Sequence, residues 1–127
     1  MGFFWWLPFG KVPEVSATQL HNMCQDDLNS PQILDVRTGI EWRASHVAGA
    51  VHAPITELES RIVGLNLDGN RPIVAICRSA HRSIPAVRLL RKHGFRNACQ
   101  LQGGMLAWWK AKLPLVGDSG DALGAGD

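Results

Sequence analysis

The chain has 127 residues, 46% of them hydrophobic and 19% charged, with a net charge of +2. That suffices for one domain around one core and leaves no length for a second. All 13 Lys and Arg lie between Lys11 and Lys112, whereas Asp118, Asp121 and Asp127 sit in the tail. Ahead of that tail 13 basic residues meet the other eight acidic ones, a surplus of about +5. Such a body suits a small anionic substrate. Its basic residues are not interleaved with aromatics as a nucleic-acid groove requires, so no nucleic-acid partner is expected. The cysteines, Cys24, Cys77 and Cys99, are odd in number and lack the close spacing of a zinc site or a disulfide framework. His21, His46, His52, His81 and His93 lack ligand spacing too, so neither a metal nor a cofactor is expected. Unpaired thiols point to a reducing compartment, the cytoplasm.

Residues 1–10 form an apolar segment containing Phe3, Phe4, Trp5, Trp6, Leu7, Pro8 and Phe9. It has no basic n-region and no small-residue cleavage site, and so makes a poor signal peptide. It is also far shorter than the ~20 apolar residues of a spanning helix. Residues 3–9 are expected to fold back on the domain, to make a partner contact, or to lie at a membrane surface, where Trp favours the headgroup region.

The domain proper is expected over residues 11–116. Residues 12–15 contain Pro13 and read as an edge strand. Ser16 and Gln19 form a capping box for a helix that turns Leu20, Met23 and Cys24 inward. Residues 32–37 are a buried-type strand ending in Asp35 and Arg37. An Asp there lies on the ligand-binding edge of an α/β sheet, and equally suits holding the next loop through backbone N–H groups. Arg37 faces the pocket or pairs with Asp35 or Glu41. A helical turn at 41–44, a brief strand after Gly49 and a helix over 56–63 follow, the last with Leu58, Ile62 and Leu65 on one stripe. A turn at 67–71 precedes the apolar run 72–76. Residues 84–93 have helical spacing closed by Gly94. A strand at 97–101, a Gly103-Gly104 turn and a helix over 105–112 complete the domain. Residues 117–127, rich in Gly and Asp, are expected to be disordered. Strands alternating with helices predict a parallel sheet covered on both faces, functional at its C-terminal edge.

The chemistry concentrates between the run 72–76 and the helix that follows it, in Cys77, Arg78, Ser79, Ala80, His81, Arg82 and Ser83. A thiol there meets converging backbone N–H groups at a helix start, beside three residues that are cationic or can become so. It is expected to ionise readily and act as a nucleophile. Cys77 and Arg82 make a C-x4-R loop. Phosphate-transferring cysteine enzymes use C-x5-R, whose arginine clamps the phosphate oxygens. The shorter loop makes a smaller bowl, suited to one sulfur atom, which disfavours a cysteine phosphatase or arsenate reductase.

Four stretches now stand together: 33–37; Glu41-Trp42 with 46–50; the loop 77–83; and 101–105 with Trp108. In this order and spacing the sequence resembles the rhodanese family of sulfurtransferases over residues 12–115. The resemblance implies a five-stranded, mostly parallel sheet with helices on both faces. It implies Cys77 as nucleophile and sulfur carrier, with Arg78, Ser79, Ala80, His81, Arg82 and Ser83 as the anion-binding nest. Sulfur would pass from a small anionic donor, thiosulfate or a persulfide, through a Cys77 persulfide to a thiol or cyanide acceptor. The alternative is a binding or regulatory module without turnover; rhodanese-like domains of that kind commonly lack the cysteine. Ala80 stands where the family commonly has Gly, and a positive φ there costs Ala about 1 kcal/mol. Ser45 replaces another frequent Gly, and His52-Ala53-Pro54 a more usual Asn-Ile-Pro.

Overall fold

The computed structural model describes residues 12–28 and 30–117 and the short strand 122–123. The aromatic stretch 3–9 therefore lies outside the described residues, and with it the expected partner or membrane contact. In chain order the elements are β1 (Glu14–Val15), α1 (Ala17–Cys24), β2 (Gln32–Asp35), α2 (Gly39–Ala44), β3 (Val51–His52), α3 (Ile55–Arg61), β4 (Ile73–Ile76), α4 (Ser83–Lys92), β5 (Ala98–Leu101), α5 (Gly104–Lys110), β6 (Leu115–Val116) and β7 (Ala122–Leu123). The main sheet has five strands in the order β1-β5-β4-β2-β3, and every pairing is parallel. β1, which follows Pro13, is at an edge, where a missing N–H is tolerated.

The apolar run of β4 is buried along its whole length, as a central parallel strand must be when helices cover both faces. Its pleat divides the core in two. Ile73, Ala75 and Cys77, with Leu34 of β2, pack against Leu58 of α3 and Ala86, Val87 and Leu90 of α4. Val74 and Ile76, with Ile33, Cys99 and Leu101, pack against Ala17 and Leu20 of α1 and Met105 and Trp108 of α5. Each fully buried Leu or Ile contributes about 1.5–3 kcal/mol.

Local chemistry sets the helix ends. Ser16 and Gln19 form the reciprocal capping box on α1, and Thr38 with Glu41 repeats it on α2. α3 stops at Arg61 and gives way to a 3-10 turn, Val63–Leu65, closed by Asn66 at φ 55°. α5 ends at Lys110, short of the expected 112, where Lys112 turns to φ 57°.

The chain beyond α5 departs from expectation. Trp108 Nε1 donates to the Pro114 carbonyl at 3.0 Å, and His46 and Val116 exchange backbone hydrogen bonds of 2.8 and 2.9 Å. Held extended in this way, β6 offers an edge, and β7 pairs with it antiparallel. Two residues of the stretch 117–127, expected to be disordered, are thus in a strand; residues 118–121 and 124–127 lie outside the described residues. Among the described residues no helix is long and apolar enough to cross a membrane.

Candidate functional site

β4 delivers Cys77 to the C-terminal edge of the sheet, and α5 shapes the loop that follows. Two amides of the α5 first turn, which have no partner within a helix, donate to loop carbonyls: Met105 N to Cys77 O at 2.8 Å, Leu106 N to Arg78 O at 3.0 Å. The peptides are trans, so the N–H groups of Arg78 and Ser79, across those same peptide planes, point away from α5. The approach needs glycine. A Cβ on Gly104, at φ +61°, would collide with the carbonyl oxygen of Cys77 and lie 2.6 Å from the carbonyl of Arg78.

Ala80 has φ 72°, in the left-handed region anticipated from the missing Gly, and Arg82 returns to the right-handed region. Alternation of this kind gathers successive N–H groups into one concavity. Among the described residues, no hydrogen bond uses the backbone N–H of residues 78–82. These amides lie in a loop that begins at a cysteine only 1% exposed.

The loop cations take different positions. Arg82 grips Glu41 in a bidentate pair of 2.6 and 3.0 Å. The hydrogen bonds from Arg82, with those of Thr38, hold the Glu41 carboxyl down at about 2 despite its partial burial. Glu41 in turn favours the charged form of Arg82, with smaller contributions from the nearby Cys77 and Asp35. Arg78 is exposed, its guanidinium 6.0 Å from the centre of the Trp109 ring. His81 is exposed at the rim.

Asp35 and Arg37 are brought to the same end of the sheet but close on each other. Arg37 Nε lies 2.9 and 3.1 Å from the two Asp35 oxygens and Nη2 2.8 Å from Oδ2, in a fully buried pair. Arg37 Nη2 also donates to the Ser45 carbonyl at 2.7 Å, and its backbone N–H donates to Asp35 at 3.1 Å. The pair holds the segment between β2 and α2; Arg37 does not pair with Glu41, which belongs to Arg82.

Ser83, grouped with the nest by its place in the loop, lies instead beneath the thiol and is completely buried. Cys77 Sγ is 3.5 Å from Ser83 Oγ, which is 2.6 Å from Gln100 Oε1, and Gln100 Nε2 is 3.0 Å from Glu14 Oε2. Gln100 and Glu14 escaped the sequence reading. The available signal was an amide in an otherwise apolar strand, since a buried polar side chain is more informative than an exposed apolar one. The strand alternation puts it opposite Cys99 and Leu101, on the face shared with Cys77. Cys99 is in the other core, where burial pushes its thiol up to about 12; burial also raises Cys24.

A five-stranded parallel α/β sheet whose central strand ends in a cysteine at the head of a short loop defines a class of cysteine-loop α/β domains. Within that class the chain belongs to the rhodanese family: the rhodanese-like domain matches residues 16–111. It is 38% identical over 117 residues to the HTH-type transcriptional regulator Rv0324 of Mycobacterium tuberculosis, covering 91% of this chain and 50% of the relative. It therefore spans about half the length of that protein. It is 30% identical to a sulfurtransferase of Allochromatium vinosum, over 86% of this chain and 99% of the relative. The solution structure of a rhodanese-like domain from Anabaena sp. superimposes with a TM-score of 0.74 at 31% identity, covering 91% of this chain and 88% of that one.

Proposed function

We propose that the protein is a sulfurtransferase that carries one sulfur atom on Cys77. The observation that carries this reading is the set of backbone N–H groups of residues 78–82, which have no acceptor among the described residues, in the loop that opens with a cysteine at the end of β4. In the first step the Cys77 thiolate attacks the outer sulfur of thiosulfate. The S–S bond breaks, sulfite leaves with the bonding pair, and the negative charge of the enzyme moves to the terminal sulfur of a Cys77 persulfide. The loop amides stabilise that charge where it forms. Arg78 and His81 at the rim draw in the dianionic donor, while Arg82, fixed by Glu41, holds the loop and adds positive field. In the second step a thiolate or cyanide attacks the terminal sulfur and restores the Cys77 thiolate, so charge and electrons balance over the cycle. The free cysteines fit a reducing compartment, the cytoplasm.

Intact mass after thiosulfate treatment tests this directly: one added sulfur, mapped to Cys77, is expected. Thiosulfate-to-cyanide turnover should vanish in Cys77→Ser and persist in Cys24→Ser and Cys99→Ser; equal loss in all three would refute the assignment. Cys77-dependent hydrolysis of a phosphate ester would revive the phosphatase alternative. The name of the mycobacterial relative favours a second reading, in which this fold serves a regulator. Sulfur loading without turnover to any acceptor would support it.

A further inference from the structure

The buried chain beneath Cys77 has a direction, and that direction is set at its far end. The Glu14 carboxylate only accepts, so Gln100 must turn its amide nitrogen towards it. Gln100 Oε1, also an acceptor only, is then left facing Ser83 Oγ at 2.6 Å. Ser83 has one proton, and this contact takes it. Towards Cys77 Sγ the hydroxyl has only lone pairs to offer, which suits a thiol proton donated to it. Ser83 is fully buried and Gln100 is 5% exposed, so the hydroxyl is shielded from exchange with bulk water. The sheet register supports the arrangement: Glu14 pairs with Gln100, and Gln100 with the small Ala75.

We propose that Gln100 and Glu14 are positioning residues that lock Ser83 as a hydrogen-bond acceptor towards Cys77, leaving sulfur charge to the loop amides. The consequence for turnover, though not the geometry, rests on the sulfurtransferase reading. A hydroxyl donating to the thiolate would stabilise it and weaken its attack, because thiolate nucleophilicity falls with thiol pKa. With the Ser83 proton directed at Gln100, the attacking lone pairs stay free. Around the sulfur, Arg82 with Glu41 and the exposed Arg78 and His81 belong to the loop and α2, and the Asp35–Arg37 pair to β2. The first turn of α5 carries no acidic side chain. All of these stay unchanged in the variants that test the lock.

The test is the pH dependence of Cys77 alkylation by iodoacetamide, in a Cys24→Ser background. Gln100→Leu frees the Ser83 proton to turn to the sulfur, and the alkylation midpoint should fall by about one pH unit, the effect of one hydrogen bond to a charged group. In Ser83→Ala the same Gln100→Leu change should shift nothing. Glu14→Ala, at the sheet edge, lets the Gln100 amide turn over and should lower the midpoint as well. Glu14→Gln can donate as well as accept, so it no longer fixes the amide and should lower the midpoint too, and in Ser83→Ala neither Glu14 change should shift it. The Glu14 pair decides the matter if Gln100→Leu does not fold. The proposal is overturned by an unchanged or raised midpoint in Gln100→Leu, by an unchanged midpoint in both Glu14 variants, or by any of these shifts persisting without Ser83, which for Glu14 would be a charge effect. Thiosulfate loading of the same proteins separates the two readings: an unloaded wild type with the predicted shifts removes the sulfurtransferase and leaves the lock in place.

Discussion

Ala80 is the point at which the loop is strained, and replacing it with glycine should strengthen the protein. Its φ of 72° lies in a region that costs an L-residue roughly 1–2 kcal/mol, because Cβ crowds the following carbonyl. Gly removes that crowding but adds unfolded-state freedom worth about 0.4–1 kcal/mol. The balance favours Ala80→Gly by about 0.5–1 kcal/mol, or about 2–4 °C in Tm for a domain of this size. Urea unfolding should show a higher midpoint at unchanged slope. Two companions sharpen the test. Lys112→Gly, at φ 57° beyond α5, should gain a similar amount without touching the loop. Ala80→Val places a β-branched side chain where even Ala is strained, and should lose at least about 1 kcal/mol. The reasoning is refuted if Ala80→Gly is less stable than the wild type, or if Ala80→Val is as stable.

Gly104→Ala adds a steric clash with fixed backbone to the left-handed penalty and should destabilise by about 2–5 kcal/mol in urea; Gly49→Ala, at φ +81° with open space around it, should lose only the conformational part, about 1–2 kcal/mol. Glu41→Gln should cost about 1 kcal/mol near neutral pH, as expected of a half-buried ion pair. Because the folded Glu41 carboxyl is held at about 2, below its ordinary 4.5, this contribution is complete above about pH 4.5 and fades as pH falls towards 2. Urea midpoints across that window should therefore fall less steeply in Glu41→Gln than in the wild type. Cys99, pushed up to about 12 by burial, should resist iodoacetamide in the native protein near neutral pH and react on unfolding, as peptide mass mapping would show.

The fold and the position of the candidate nucleophile were legible in the sequence because their signals are local. The Ser16–Gln19 box, the buried run of β4, the Gly103-Gly104 turn and the cysteine at the head of the loop each lie within a few residues. The left-handed Ala80 was approached only through the resemblance to a family that commonly has Gly at that position; nothing local to Ala80 signals it. The Glu41–Arg82 pair spans 41 positions and the Gln100–Glu14 contact 86, and nothing in either neighbourhood announces its partner. The assignment of Arg37 was ambiguous for want of the same information. Asp35 is two residues away and Glu41 four, and only the fold, by lending Glu41 to Arg82, decided between them.

Ser83 shows how far such pairings alter the reading of a site. Its place in the loop, with the resemblance, led to the expectation that it belongs to an anion-binding nest. In the fold it is the first residue of α4, where side chains lean back towards the helix start, and β5 presents an acceptor 2.6 Å away. A hydroxyl cannot give one proton to both Gln100 and the sulfur. On the sulfurtransferase reading, charge is then left to the loop amides, of which α5 directs those of Arg78 and Ser79, while the Ser83 proton is turned the other way. Substituting side chains of the nest should alter how donors are drawn in more than how the persulfide charge is held. The changes that disturb the charge itself are those that move backbone, at Ala80 and Gly104.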